Sequence, residues 1–215
     1  MIPKKIHTFW LSGEPIPEPA ATNIDTWRHH NPDYEVVVHG ADEFNDLEAK
    51  CEFYRVMLRD HRWCFASDYL RSKVLLAEGG WYTDSDARCH KPLDGIYSTY
   101  GERPRYLCRE APNGVWLENG VMGFAPGDEI LKHMVEFYEN WREGDEVRVM
   151  PFVMADVIRD NGLELGPLLH HEVLSGKQLP KRLYIDPYTK QLRVKIMVEP
   201  SERSFATHHF THTGY

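Results

Sequence analysis

The sequence predicts an α/β fold, with helices layered on a parallel sheet. Three observations lead there. Strand-like and helix-like segments alternate from Ile2 to Thr83. The run YEVVVH at Tyr34–His39 is rich enough in β-branched residues to be a strand of that sheet. A glycine pair, Gly79-Gly80, closes a long helical pattern and opens a second aromatic strand. The 215 residues suit one compact domain, residues 1–215, whose core needs no disulfide or metal staple.

Each element follows from local chemistry. Ile2 to Leu11 alternates through Ile6, Thr8 and Trp10 and reads as a first strand. Ser12 to Pro19 holds a glycine and three prolines and reads as a loop, placed where open α/β sheets carry ligands. Ala20 to His30 reads as a helix stopped by Asn31-Pro32, and Tyr34 to His39 as the second strand. Ala41 to Leu47 starts a helix with acidic residues in its first turn, and residues 49–60 continue as helix and turn. From Phe65 onward, Tyr69, Leu70, Val74, Leu76 and Ala77 keep the spacing of an amphipathic helix. Trp81-Tyr82-Thr83 is a short strand that delivers Asp84-Ser85-Asp86. Strands at Arg105–Arg109 and Val121–Ala125 follow, with helices at Gly127–Trp141 and Phe152–Arg159. A turn at Gly166-Pro167 and a hairpin pairing Leu183–Ile185 with Leu192–Val198 come next. The segment Phe205–Tyr215, FATHHFTHTGY, carries three histidines.

Composition narrows the function. Hydrophobic residues make up 42% and charged residues 27%, an ordinary globular balance. The net charge of −8 argues against a nucleic-acid partner, which calls for a basic face, but leaves room for a local cationic pocket. No apolar run approaches the roughly 20 residues of a transmembrane segment, and the N-terminus lacks the apolar core of a signal peptide. A cytoplasmic location is therefore expected, with peripheral membrane association compatible with a lipid-linked substrate. The four cysteines contain no CxxC pair and read as reduced thiols.

The chemistry concentrates at Asp84 and Asp86. Two aspartates at i, i+2, just past a strand, can converge on one point. Mg²⁺ and Mn²⁺ take oxygen ligands and are often held by one or two carboxylates plus substrate phosphate oxygens. A solvated acidic turn is the plainer reading of an isolated D-x-D, but the preceding helix, glycine pair and aromatic strand favour the metal. On that helix Asp68 and Arg71 stand at i, i+3 and share a face. They are either a surface ion pair or a pair that binds sugar hydroxyls and phosphate. His208 and His209 are candidates for a third ligand, and in an extended segment only one would reach the metal. Trp10 is either a core tryptophan or a platform for a base. His7 reads as a hydrogen-bonded core histidine.

These residues resemble a known family: the glycosyltransferase sugar-binding region containing DXD motif group, glycosyltransferase family 32. That group includes capsular polysaccharide synthesis enzymes and is similar to initiating mannosyltransferases. The resemblance rests on Ile2-Pro3-Lys4-Lys5-Ile6-His7 with Trp10, on Asn31-Pro32 with Tyr34-Glu35, and above all on Ala66-Ser67-Asp68-Tyr69-Leu70-Arg71. Gly79-Gly80-Trp81-Tyr82, Asp84-Ser85-Asp86, Asn119-Gly120-Val121-Met122-Gly123 and His208-His209 extend it over nearly the whole chain.

The resemblance implies a GT-A fold, with a mixed, mostly parallel sheet flanked by helices. Residues up to about 125 would bind the nucleotide sugar and about 126–215 would face the acceptor. It further implies a divalent ion, usually Mn²⁺ with Mg²⁺ as the other candidate, and retention of anomeric configuration. Trp10 would stack on the base, Ser67 lie near the nucleotide, Asp68 and Arg71 contact the sugar, and Tyr82 lie under sugar or ribose. Asp84 would reach ribose and metal-bound water, and Asp86 would bind the metal. Relatives end in a tryptophan where this chain has Tyr215, with a different spacing. His209 is preferred as third ligand, then His208, with His212 an outsider.

The expected catalytic set is thus Asp68, Arg71, Asp84 and Asp86, acting in a front-face transfer from a nucleotide sugar. A UDP-sugar is the first expectation and GDP-mannose the second. The acceptor would be a glycan, lipid-linked or protein group reached from Asn113–Asn119 and residues 150–180. Two alternatives stand beside this. A haloacid dehalogenase-like phosphatase also uses D-x-D, but after a long N-terminal apolar strand. A non-catalytic sugar-nucleotide or glycan-binding module would bind without transfer.

Overall fold

The structure, a computed structural model, describes residues 1–109, 116–185 and 192–209, with the backbone alone for 178–185 and 192–197. In chain order the elements are β1 Lys5–Phe9, α1 Glu18–His30, β2 Glu35–His39, a 3₁₀ turn Ala41–Phe44, α2 Asn45–Glu48, α3 Glu52–Arg59 and α4 Trp63–Glu78. There follow β3 Gly80–Thr83, β4 Ala87–Cys89, α5 Asp94–Tyr100, β5 Arg105–Tyr106, β6 Val121–Phe124, α6 Glu129–Asn140 and α7 Met150–Asp160. A 3₁₀ turn at His171–Val173 precedes β7 Lys177–Ile185, β8 Leu192–Glu199 and β9 Ala206–His208.

The main sheet has the order β2-β1-β3-β6-β5. The pairs β1–β2 and β1–β3 are parallel, while β6 runs antiparallel to both β3 and β5. Four strands therefore share a direction and one opposes them, the mixed, mostly parallel sheet that was expected. Alternation of side chains across β3 serves two cores. Tyr82 joins Phe9, Leu70, Met122 and α6–α7 residues on one face. Trp81 joins Ile6, Trp27 and Tyr106 on the other.

Several boundaries differ from the sequence reading. β1 is shorter than Ile2–Leu11, and the strand expected at Arg105–Arg109 keeps only Arg105–Tyr106, with Cys108 and Arg109 in isolated bridges. α1 starts at Glu18 because Pro19 fits the first turn, where no backbone N–H is required. α7 starts at Met150 for the same reason, with Pro151 in its first turn. α5 and the β4–β9 pair were not anticipated.

The largest correction concerns α4. It was read as amphipathic, yet Ser67, Asp68, Arg71 and Ser72 are buried along with Ala66, Tyr69, Leu70, Val74 and Leu75. Its polar face looks into a cleft rather than into solvent. The helix ends at Gly79, φ +67°, where an added Cβ would lie 2.6 Å from Pro126 Cδ. Glycine is thus required there both for its backbone angle and for space.

His7 is a core histidine. Its Nδ1 lies 3.0 Å from His39 Nε2 and its Nε2 lies 3.1 Å from the Gly79 carbonyl. His39 Nδ1 in turn lies 2.8 Å from Glu43 Oε2. This chain of contacts ties β1, β2 and the end of α4 together behind the cleft. No helix among the described residues is long and apolar enough to cross a membrane.

Candidate active site

The cleft forms where β1 and β3 end and β6 begins. Trp10 follows β1, Asp84 follows β3, and Asn119-Gly120 leads into β6. Crevices at strand ends are where open α/β sheets bind ligands. A cavity of ≈ 370 Å³ is lined there by Trp10, Ser67, Asp68, Arg71, Tyr82, Asp84, Asp86, Asn119 and His208, among others.

Backbone bonds set the floor. Asp84 N–H donates to Gly120 O at 2.7 Å, and Ala87 N–H donates to Asp84 O at 3.0 Å. β9 pairs antiparallel with β4, placing His208 opposite Ala87, and His209 N–H donates to Asp86 O at 3.2 Å. The result is that one ligand atom each from Asp84, Asp86 and His208 lies within 4.8 Å of the other two. His208 Nε2 is 3.1 Å from Asp86 Oδ1 and 3.4 Å from Asp84 Oδ2.

The preference between the two histidines is reversed by this pairing. His208 enters the cluster, whereas His209 Nε2 lies 3.4 Å from Thr207 Oγ1. Neighbours on a strand face opposite sides, so β9 can offer only one of them to the aspartates. Tyr215, His212 and Asn113 lie outside the described residues.

Three observations fit these residues to a hard divalent ion. Two carboxylates and an imidazole are a suitable donor set, with positions left for substrate oxygens. The carboxylates of Asp84 and Asp86 converge on His208 Nε2, at 3.4 and 3.1 Å, so positive charge is favoured between them, from a divalent ion or, without one, from the protonated ring. Glu118, buried behind His208, has one carboxylate oxygen, Oε2, with no hydrogen-bond partner. Burial alone would lower the pKa of His208, but Glu118 and then Asp86 raise it well above the ordinary value.

Gly120 is packed against the cluster. A Cβ there would lie 2.5 Å from the His208 ring and 2.8 Å from Asp84 Oδ2. Gly120→Ala is expected to push both side chains apart and weaken Mn²⁺ binding by at least about tenfold. Calorimetric titration would show it, and an unchanged affinity would contradict the packing.

Arg71 organises the wall above the floor. It is only 4% exposed. Its Nε donates to Ser67 O at 3.3 Å, Nη1 to Asn119 O at 2.9 Å and Nη2 to Ser67 Oγ at 3.0 Å. Nη2 also pairs with Asp68 Oδ1 at 3.1 Å and Asp84 Oδ1 at 3.3 Å. The guanidinium stacks 4.2 Å from the Tyr82 ring centroid. Burial opposes the Arg71 charge, but Tyr82, Asp84 and Asp68 around it raise its pKa.

The expectation of a surface ion pair is therefore excluded. Most of the guanidinium is engaged with the protein, so Arg71 holds Asp68 and Asp84 in place. Burial pushes the Asp68 carboxyl up to about 7 against the pull of Arg71, with Asp84 adding to the rise. Burial also raises the Tyr82 pKa, keeping it a phenol that donates to Asp84 Oδ1.

Trp10 sits at the cleft rather than in the core. Its N–H donates to His39 O at 2.9 Å, and its indole Nε1–H donates to Glu14 O at 2.7 Å. Sequence reasoning covered Glu118, Met150 and Pro151 only within the broad acceptor ranges 113–119 and 150–180, gave Glu118 no role of its own, and missed the apolar wall that Trp63, Phe65 and Val149 form with Met150 and Pro151. A carboxylate directly before Asn119-Gly120 was the available signal for Glu118. The apolar wall had none, because it forms from two helix starts distant in sequence.

Residues 17–101 match the family described as glycosyltransferase sugar-binding region containing DXD motif. The matched segment contains Asp68, Arg71 and Asp84-Ser85-Asp86. Subversion of eukaryotic traffic protein A of Legionella pneumophila is similar at 27% identity over 164 residues, covering 64% of this chain. This chain spans only 25% of that relative's length. The fold is similar to that of two solved structures. PaToxG glycosyltransferase is 19% identical, with TM-score 0.60, covering 74% of this chain and 69% of that one. The ligand-free glycosyltransferase domain of the YGT toxin is 12% identical, with TM-score 0.55, covering 81% of each chain. A GT-A-like α/β fold was the expectation.

Proposed function

We propose that the protein is a retaining, metal-dependent glycosyltransferase of the family 32 kind. It transfers a sugar from a nucleotide diphosphate sugar, UDP-linked first and GDP-mannose second, to a glycan, lipid-linked or protein acceptor. The observation that carries this reading is the convergence of Asp84, Asp86 and His208 beneath Asp68, Arg71 and Trp10 in one cleft. Mn²⁺ is the preferred ion, held by Asp84, Asp86 and His208.

Glycosyl transfer breaks the bond from the anomeric carbon to the diphosphate through an oxocarbenium-like transition state. The ion, when bound, neutralises charge on the departing diphosphate. Asp86 and His208 hold that end of the donor. Asp84, fixed by Tyr82 and Arg71, is too engaged to serve as a phosphatase nucleophile. Asp68 faces the cleft next to Arg71 and positions the sugar by accepting from its hydroxyls. With Asp68 paired to a buried cation rather than free to attack, front-face transfer is favoured, the leaving phosphate taking the acceptor proton. Trp10 supplies an aromatic face for the base, and Ser67 lies beside the nucleotide. Asn119, Met150 and Pro151 line the same cleft and are assigned to the acceptor side.

A screen of UDP- and GDP-sugars with Mn²⁺, following nucleotide release, tests the proposal. Release is expected from one class of donor. Binding without release from any donor or acceptor would instead establish a binding module. The place of action is proposed to be the cytoplasm, in polysaccharide biosynthesis.

A further inference from the structure

We propose that Glu118 is a positioning residue that aims His208 at the metal. The inference rests on the metal-site reading and extends it to a residue that does not touch the ion. Glu118 is 1% exposed, immediately before Asn119-Gly120. Its Oε1 accepts from Gly120 N–H at 2.7 Å and lies 2.8 Å from His208 Nδ1. The opposite ring nitrogen, Nε2, faces Asp84 and Asp86.

The chemistry of the imidazole makes this arrangement directional. A ring that gives its Nε2 lone pair to a cation keeps its remaining proton on Nδ1. An ionised carboxylate accepts but does not donate, so Glu118 selects that tautomer and fixes the ring plane. Because the same Oε1 also accepts from Gly120, the loop that packs under Asp84 and the ring that faces it are set by one oxygen. The unpartnered Oε2 is consistent with a role beyond stability, since a buried carboxylate oxygen without a partner is costly. Its negative charge lies behind the ring and raises the basicity of Nε2.

Two variants separate geometry from charge. Glu118→Gln keeps a carbonyl oxygen for both donors but loses the charge, and Glu118→Leu removes the acceptor. Mn²⁺ affinity, read from the electron paramagnetic resonance of free Mn²⁺, is expected to fall about tenfold in E118Q and about 100-fold in E118L. In E118Q, added Mn²⁺ is expected to restore most of kcat, leaving the defect in the apparent KM for metal. In the diamagnetic Mg²⁺-loaded protein, ¹⁵N spectra are expected to show the His208 proton on Nδ1, with that preference lost in E118L.

Asp86→Asn serves as the control for the site itself. Abolished Mn²⁺ binding in D86N with wild-type affinity in E118Q would overturn the role of Glu118 and leave the metal site standing. E118Q decides this even if E118L does not fold. Wild-type protein that binds no Mn²⁺ would remove the metal-site reading and this inference with it.

Discussion

Asp86→Asn is expected to lower kcat/KM for the proposed sugar transfer by at least about a thousandfold, close to 4 kcal/mol of transition-state stabilisation. The loss is large because the departing diphosphate must shed negative charge, and neutralising it is worth several kcal/mol. Asparagine keeps the volume of Asp86 but replaces an anionic ligand with a neutral one beside His208 Nε2. The fold should survive, since Asp86 sits at the cleft and not in either hydrophobic core. Melting curves with added Mn²⁺ supply a readout that does not need the acceptor. At a hundredfold excess over Kd, a bound ion stabilises the folded state by about 2.7 kcal/mol. Wild type should show that rise and D86N should not. Undiminished transfer by D86N in excess EDTA would sink the metal-dependent mechanism.

Arg71→Ala is expected to act on stability as well as catalysis. Removing the guanidinium leaves Asp68 buried without its cation and strips Asn119 O and Ser67 of their donor. Breaking one side of such a buried pair costs about 3–5 kcal/mol, which for a chain of this size lowers Tm by roughly 6–20 °C. Arg71→Lys keeps the charge and should recover most of that stability. A single ammonium cannot reproduce the fork that reaches Ser67, Asn119, Asp68 and Asp84 together while its carbon lies over the Tyr82 ring. Misplacing the reacting groups by about 1 Å can cost a hundredfold, and that loss is expected in kcat for R71K near wild-type Tm. Wild-type kcat in R71K would mean that Arg71 supplies charge alone.

The segment from Ala66 to Asp86 was legible because its chemistry is local. A helix, a glycine break and a short strand bring Asp68, Arg71, Asp84 and Asp86 together with little help from the rest of the chain. Spacing alone could not show whether the helix face met water or a cleft, so Asp68–Arg71 could pass for a surface pair. The answer came from packing against α6, α7 and the Asn119 loop. The choice between His208 and His209 was likewise beyond local reading, because it depends on the register of β9 against β4. Glu118 escaped for a related reason: its partner lies 90 positions away. The parallel direction of β1, β2 and β3 was readable from the alternation of strands and helices, but their order was not. The reversed β6 and the two-residue β5 follow from connections that carry no periodic signal.

The β4–β9 pairing has a consequence for the newborn chain. Asp84 and Asp86 leave the ribosome long before His208, and until β9 has docked they have neither their imidazole nor Glu118's link to it. In chain order the cluster is therefore completed late, when one three-residue strand pairs with its partner.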